Sequence, residues 1–339
     1  MPQDSKLFKA ILITASFMII VAGMMAAKSI IVPLMLAVFI AIIVSPLLFW
    51  LQAKGLNTPL ALIIVLVFIV LLLSSLAMLV GSSISSFTHE LPLYEAKLSV
   101  QFKDIFVWLE GMGVNVSSEN YSNVMNPSRL MQITSTILQA FSSVLTNGMM
   151  ILFLVLFMLL EASSFPAKLQ AVNHSIKGHA DQFMINVKQY MVLKTVFSLI
   201  TGALVTLMLL LVGVDYALLW GLVAFLLNYI PNIGSIIAAV PAVLLTLIQL
   251  GSTSALIVAL GFVLINVVIG SVVEPKYMGE GLGLSTLVVF ISLIFWGWVL
   301  GPAGMLLSIP LTVMVKIALE TDENTRWIAV LLDSKIPKK

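Results

Sequence analysis

The sequence predicts an all-α, polytopic helical membrane protein: about eight transmembrane helices, broken or re-entrant segments, and an amphipathic helical insert outside the cytoplasm. Three observations carry that prediction. Of 339 residues, 60% are hydrophobic and only 9% charged, against roughly 25% charge in a soluble domain. Mean hydropathy is +1.14. Apolar runs near 20 residues recur, the length a helix needs to cross about 30 Å of hydrocarbon with its backbone hydrogen bonds satisfied internally. The same composition excludes other classes. With no cysteine, thiolate zinc sites, iron–sulfur clusters and cysteine nucleophiles are absent. A formal charge of +2 is too small for a nucleic-acid binder.

The first run covers 7–27 and lacks a small-residue cleavage pattern, so it reads as a retained helix rather than a signal peptide. Runs at 30–51 and 59–80 follow, making residues 1–80 a segment of three transmembrane helices. Residues 81–147 change character, with His89, Glu90, Glu95, Lys97, Lys103, Asp104 and Glu110 flanking an apolar stripe at Phe87, Leu91, Tyr94, Leu98, Phe102, Ile105 and Leu109. Spacings of three and four put that stripe on one helical face. A second stripe, from Leu130 to Leu145, follows the Asn126-Pro127 break. Residues 148–164 are the fourth transmembrane helix, and 165–190 an amphipathic helix with Lys168, Lys177 and Lys188 off its apolar stripe, suited to a membrane surface. Residues 191–320 form a C-terminal bundle with runs at 191–213, 217–227, 233–250, 254–273, 284–300 and 303–318, and 321–339 is a tail. The pair at 217–227 and 233–250 is one broken span, two thin spans, or a re-entrant hairpin.

Lys and Arg set orientation. With the N-terminus inside, 13 of the 17 Lys and Arg fall on the cytoplasmic side and only Lys28, Lys97, Lys103 and Arg129 outside. Both termini are then cytoplasmic and residues 81–147 extracytoplasmic.

Two polar interruptions are candidate sites. In Asn228-Tyr229-Ile230-Pro231-Asn232-Ile233-Gly234-Ser235, proline removes a backbone donor and glycine permits unusual dihedrals, freeing polar groups for a ligand. Such breaks at membrane depth line cavities or are buried in protein; the plainer reading is a turn between two helices. The second interruption runs from Glu274-Pro275-Lys276 through Gly281 and Gly283. It lacks the strand and spacing of a nucleotide loop and reads either as a hinge carrying an acid and a base, or as a solvated interfacial pair. Glu274 ends an apolar helix, where a carboxylate opposes the dipole, with Lys276 as its nearest compensating charge. Among charges in or beside spans, Glu161 and Lys194 are a possible intramembrane pair, and Lys194 and Lys316 are expected to snorkel to the headgroups. Gly297, Gly301 and Gly304 form a small-residue face for helix packing, within or between subunits. Catalytic readings fail: Leu93 stands where His89-Glu90 would need its second metal-ligating histidine.

These motifs, together with Phe295-Trp296-Gly297-Trp298, Gly301-Pro302, Gly304-Met305-Leu306 and Ser308-Ile309-Pro310-Leu311-Thr312, resemble the autoinducer-2 exporter family of bacterial inner-membrane permeases, over essentially the whole chain. The resemblance implies no enzyme and no cofactor, but a permease of the bacterial inner membrane exporting the quorum-sensing signal autoinducer-2, a small polar hydroxylated solute. Other members resemble Na+ or Li+/proton antiporters, which carry acidic intramembrane residues; this chain has few. The expected mechanism is alternating access, driven by an ion gradient or the solute's own gradient. Asn228, Tyr229, Asn232 and Ser235 would offer hydrogen bonds, Pro231 and Gly234 would keep the break open, and Glu274 with Lys276 would exchange partners in a loop containing Pro275, Gly281 and Gly283. The expected partners are the bilayer, the signal molecule and further copies of the chain. The rival readings are a cation/proton antiporter and a non-transporting membrane scaffold.

Overall fold

The computed structural model describes residues 3–111, 136, 139, 148–162, 174–231, 233–278, 283–320 and 325–334. The described residues are helices joined by turns, the outcome expected where hydrocarbon cannot satisfy backbone groups. The helices are α1 (Gln3–Ala26), α2 (Lys28–Ala53), α3 (Thr58–Gly111), α4 (Gly148–Ala162), α5 (His174–Val212), α6 (Ala217–Leu227), α7 (Ile233–Leu250) and α8 (Ser252–Ile265). A π-helical stretch (Asn266–Val273) leads into α9 (Glu274–Met278), followed by α10 (Thr286–Leu300), α11 (Pro302–Glu320) and α12 (Arg326–Leu332). Among the described residues six helical segments are long and apolar enough to cross a membrane, and four shorter apolar helices accompany them. The described part of each apolar run read from the sequence is helical over all but a residue or two at its ends. The second amphipathic stripe falls outside the described residues, apart from 136 and 139.

Two amphipathic segments continue apolar ones without a break. The third span and the first stripe of the insert are one helix of 54 residues, α3, which contains Pro92. The basic segment from 174 runs straight into the fifth span as α5, 39 residues long.

The chain forms two compact units. The first comprises Met1–Leu66, Met149–Met191 and Gly281–Lys339. Its core packs Val21 of α1 against Trp296, Val299, Leu300, Leu307 and Leu311 of the α10–α11 hairpin, and Phe17 stacks on Phe295 at 6.1 Å. Gly301 (φ 74°) makes the whole turn between α10 and α11, a left-handed position that suits glycine. A Cβ on Gly304 would strike the Trp296 carbonyl, and one on Gly297 would meet Met305. Gly297 and Gly304 therefore lie against neighbours within this chain, while Gly301 is the turn rather than part of a helix face. Trp296 Nε1 donates to Thr312 Oγ1 at 3.0 Å. The tail returns as α12: Ser285 N donates to the Leu332 carbonyl (3.0 Å) and Ser334 N to the Gly283 carbonyl (3.3 Å).

The second unit, Val67–Gly148 and Val192–Glu280, is organised by α6 and α7. The two helices form a hairpin, because Asp215 before α6 and Gln249 at the end of α7 hydrogen-bond each other. That contact excludes a single broken span. At 11 residues, α6 is about 16 Å long, half of a hydrocarbon core. Gly234 closes the tip: a Cβ there would overlap the Leu227 carbonyl, so only glycine lets the returning chain pass this close.

Candidate functional site

Lys194, Ser198 and Thr201 recur on α5 at spacings of four and three, which makes one helical face. All three are buried. They meet the α6–α7 hairpin where the two helices approach closely: Gly202 lies against Gly221 and Phe225, with a Cβ on Gly202 only 2.8 Å from the Gly221 carbonyl.

At the hairpin tip every polar side chain of the turn that is described has a partner on α5. Asn228 Nδ2 donates to Ser198 Oγ at 3.0 Å, and the Tyr229 hydroxyl donates to Thr195 Oγ1 at 2.7 Å. Beside them Lys194 Nζ donates to Glu274 Oε1 at 2.5 Å, across 80 residues of chain. Lys194 and Glu274 are 6% and 8% exposed. Burying a charge at such depth costs several kcal/mol unless it is paired. The pairing also answers the dipole problem, since Glu274 lies in the last turns of the helix begun at Ser252 and a cation now sits beside it. The π-helical stretch before it turns less tightly than an α-helix and so changes the direction in which Glu274 projects.

The pair is not saturated. An ammonium has three donors, and among the described residues Lys194 spends one, on Glu274. Among the described residues its other two N–H groups have no acceptor. Thr201 Oγ1 and Trp220 Nε1, further along α5 and α6, are likewise buried without partners among the described residues. Such unpaired groups are costly and suit a site that a polar molecule enters.

The structure corrects three expectations. The partner of Lys194 is Glu274, not Glu161, which lies exposed near the end of α4 in the other unit. The partner of Glu274 is not Lys276, which is exposed; two residues apart on a helix, the two side chains do not face each other. Neither Lys194 nor Lys316 snorkels, because each has an acceptor inside its own unit.

Of the remaining candidates, Pro231 supplies the carbonyl that accepts from Ile233 N at 2.6 Å. Ser235 is half-buried one turn into α7 and takes no part in the network, while Pro275 is exposed. Gly283 belongs to the first unit, where its carbonyl accepts from Lys316. Asn232 and Gly281 lie outside the described residues. Thr195 and Ser198 were missed in the sequence. Their signal was present: small hydroxyl residues beside a lysine at helical spacing in an apolar run.

Comparison with known proteins places this geometry in context. The model for AI-2E family transporters matches residues 12–323. The chain is 41% identical to the "AI-2 transport protein TqsA" of Escherichia coli K12, over 96% of this chain and 95% of that protein. It is 40% identical to a transport protein of Haemophilus influenzae Rd over 98% of both chains. It is 37% identical to YhhT of E. coli K12 over 99% of this chain and 98% of that one. The names of these last two specify no solute.

Proposed function

Because the chain belongs to the AI-2E transporter family, a family of multi-span membrane transporters rather than enzymes, we propose that it exports autoinducer-2, a small hydroxyl-bearing signal, across the bacterial inner membrane. The printed name of TqsA suggests the solute. The observation that carries the reading is the buried network at the hairpin tip, with its two spare Lys194 donors and the Asn228 and Tyr229 groups beside them. A polyhydroxylated solute replaces such hydrogen bonds one for one, so entry need leave no buried group unpaired.

In this reading both termini are cytoplasmic and residues 81–147 extracytoplasmic, following the lysine and arginine distribution. The tip of the hairpin then lies toward the cytoplasmic half, and Asp215 and Gln249 mark its extracytoplasmic end. Asn232, Pro231, Gly234 and Ser235 complete the moving element, with Glu274 releasing Lys194 as the solute binds. Pro275, Lys276, Gly281 and Gly283 form the hinge behind Glu274. The Lys194–Glu274 pair also favours a second reading, cation/proton antiport, in which Glu274 alternates between lysine and proton.

Inverted membrane vesicles loaded with the protein separate the two. Labelled autoinducer-2 is expected to accumulate, faster with an imposed proton gradient if transport is coupled. Sodium-dependent proton movement with no autoinducer-2 uptake overturns the exporter reading in favour of the antiporter.

A further inference from the structure

The other end of the hairpin carries a second polar cluster that the tip does not use. On α3, the Glu90 carboxylate accepts from the hydroxyl of Tyr94, one turn on, and from the hydroxyl of Tyr216 at 3.2 Å, across 126 residues. Phe87 lies at the centre of the surrounding rings, 5.8 Å from Tyr94, 6.4 Å from Tyr216 and 6.2 Å from Trp220. Asp215 and Gln249 pair beside them. All of these residues belong to the second unit.

Three features set the cluster apart from ordinary packing. Tyr216 adopts φ 57°, ψ 30°, the only positive φ at a non-glycine among the described residues; a bulky residue stays there only where its surroundings hold it, and such strain concentrates at switches. Glu90 has neutral phenols, and no cation, as its partners among the described residues. Trp220, one turn into α6 and 0% exposed, has an indole N–H without an acceptor among the described residues.

The cluster also sits in line with the tip. Tyr216 and Asn228, the residues flanking α6, are about 18 Å apart at the rise of an α-helix. The helices α5 and α6 run antiparallel, with Ser198 at Asn228, Gly202 against Phe225 and Thr206 against Gly221, so Thr201 lies about one turn from the tip and Trp220 nearer the Tyr216 end. Their unpaired polar atoms lie between the Asn228–Ser198 pair and the Glu90–Tyr216 pair.

We propose that Glu90, with Tyr94 and Tyr216, is a second solute-binding station for a neutral hydroxyl-bearing molecule, closed at rest by the hydroxyl of Tyr216. The inference rests on the transporter reading above and extends it to the far end of the same track. An ionised carboxylate only accepts hydrogen bonds and has room for several. A solute hydroxyl takes the place of the Tyr216 hydroxyl on Glu90, the count of hydrogen bonds is kept, and Tyr216 is free to leave its left-handed conformation. The same carboxylate repels anions, which limits the station to neutral or cationic solutes.

The chain's lack of cysteine makes the test clean. A single reporter, Thr201→Cys, is placed between the two stations, and the rate of its modification by a small hydrophilic thiol reagent is measured in proteoliposomes, together with efflux of labelled autoinducer-2. Adding Tyr216→Phe keeps the ring against Phe87 and removes only the hydroxyl; adding Glu90→Gln is the second variant. Both are expected to raise the modification rate at least fivefold, and Glu90→Gln to raise the KM for efflux at least fivefold. Modification at the reporter's parental rate in both variants overturns the station, whatever the protein carries. Faster modification without autoinducer-2 movement in any variant, parent included, supports the station and removes the exporter reading instead.

Discussion

Lys194 and Lys316 are buried to nearly the same degree, 6% and 7% exposed, one in each unit of the chain, yet their surroundings differ. Lys316 on α11 donates to the Gly283 carbonyl at 2.9 Å and to Asp333 Oδ2 at 2.7 Å, with Glu320 at 3.8 Å. Two of its three donors are hydrogen-bonded, a further carboxylate stands at ion-pair distance, and the hydrogen bonds tie the start of α10 to the returning tail. Among the described residues Lys194 has one acceptor, Glu274. A saturated buried ammonium is a fastener. An unsaturated one, among the hydrogen-bonded side chains of a hairpin tip, is poised to take a ligand.

The sharpest way to break this comparison is to remove one partner from each lysine. Glu274→Leu leaves Lys194 charged and alone, a change that costs about 3–5 kcal/mol in buried pairs; little folded protein and no transport are expected from thermal unfolding in detergent and vesicle uptake. Lys316→Met is milder, because the partners it abandons are a carbonyl and the partly exposed Asp333. The loss is about 1.5–3 kcal/mol, the range for hydrogen bonds to charged groups, with uptake per folded molecule unchanged. A loss of uptake beyond the loss of folded protein would place Lys316 in the transport machinery and dissolve the contrast.

Asn228→Ala sharpens the comparison at smaller scale. It removes the hydrogen bond to Ser198 and leaves a buried hydroxyl without that partner, a cost of about 1–3 kcal/mol. A higher KM for uptake is expected, with melting only slightly lowered. The smallest effect is one of pH. Burial first, and then the Glu90 carboxylate, raise the Tyr216 phenol above its ordinary value, with Asp215 adding to the shift; Tyr94 is raised by burial and its hydrogen bond to Glu90. Both phenols therefore keep donating through the ordinary tyrosine range, near 10, and their contribution is lost only as pH rises through the raised values. The ratio of the reporter-modification rate with Tyr216→Phe to that without it cancels the ionisation of the reporter thiol itself; it should stay constant from pH 7 to about 10 and fall toward one above it.

The helices were legible because lipid imposes one rule on every residue of a span, and apolar runs record it directly. The α6–α7 hairpin was legible as an interruption, but its direction was not: Asp215 and Gln249, which decide it, are 34 residues apart and polar in an ordinary way. The site was legible only as a neighbourhood. Glu274 and Lys194 each stood out as costly charges, but local spacing suggested Lys276 for one and Glu161 for the other. Their actual pairing depends on helix rotation and on an approach across 80 residues. Glu90 read as part of a failed metal motif, because nothing near it in sequence shows that Tyr216 reaches it. The Gly297, Gly301 and Gly304 spacing suggested one helix face, but the φ of Gly301 makes it a turn, and only Gly297 and Gly304 lie against neighbouring atoms.

The measurement that tests the central claim most directly is equilibrium binding of labelled autoinducer-2 to the purified double variant Lys194→Met, Glu274→Leu. Replacing both members of a buried ion pair by apolar residues of similar size is often neutral or stabilising, so this protein should fold where Glu274→Leu alone does not. If the unsaturated pair is the solute's contact, the folded double variant binds at least tenfold more weakly than the parent. Binding at the parental affinity would make the pair a fastener like Lys316 and contradict the account.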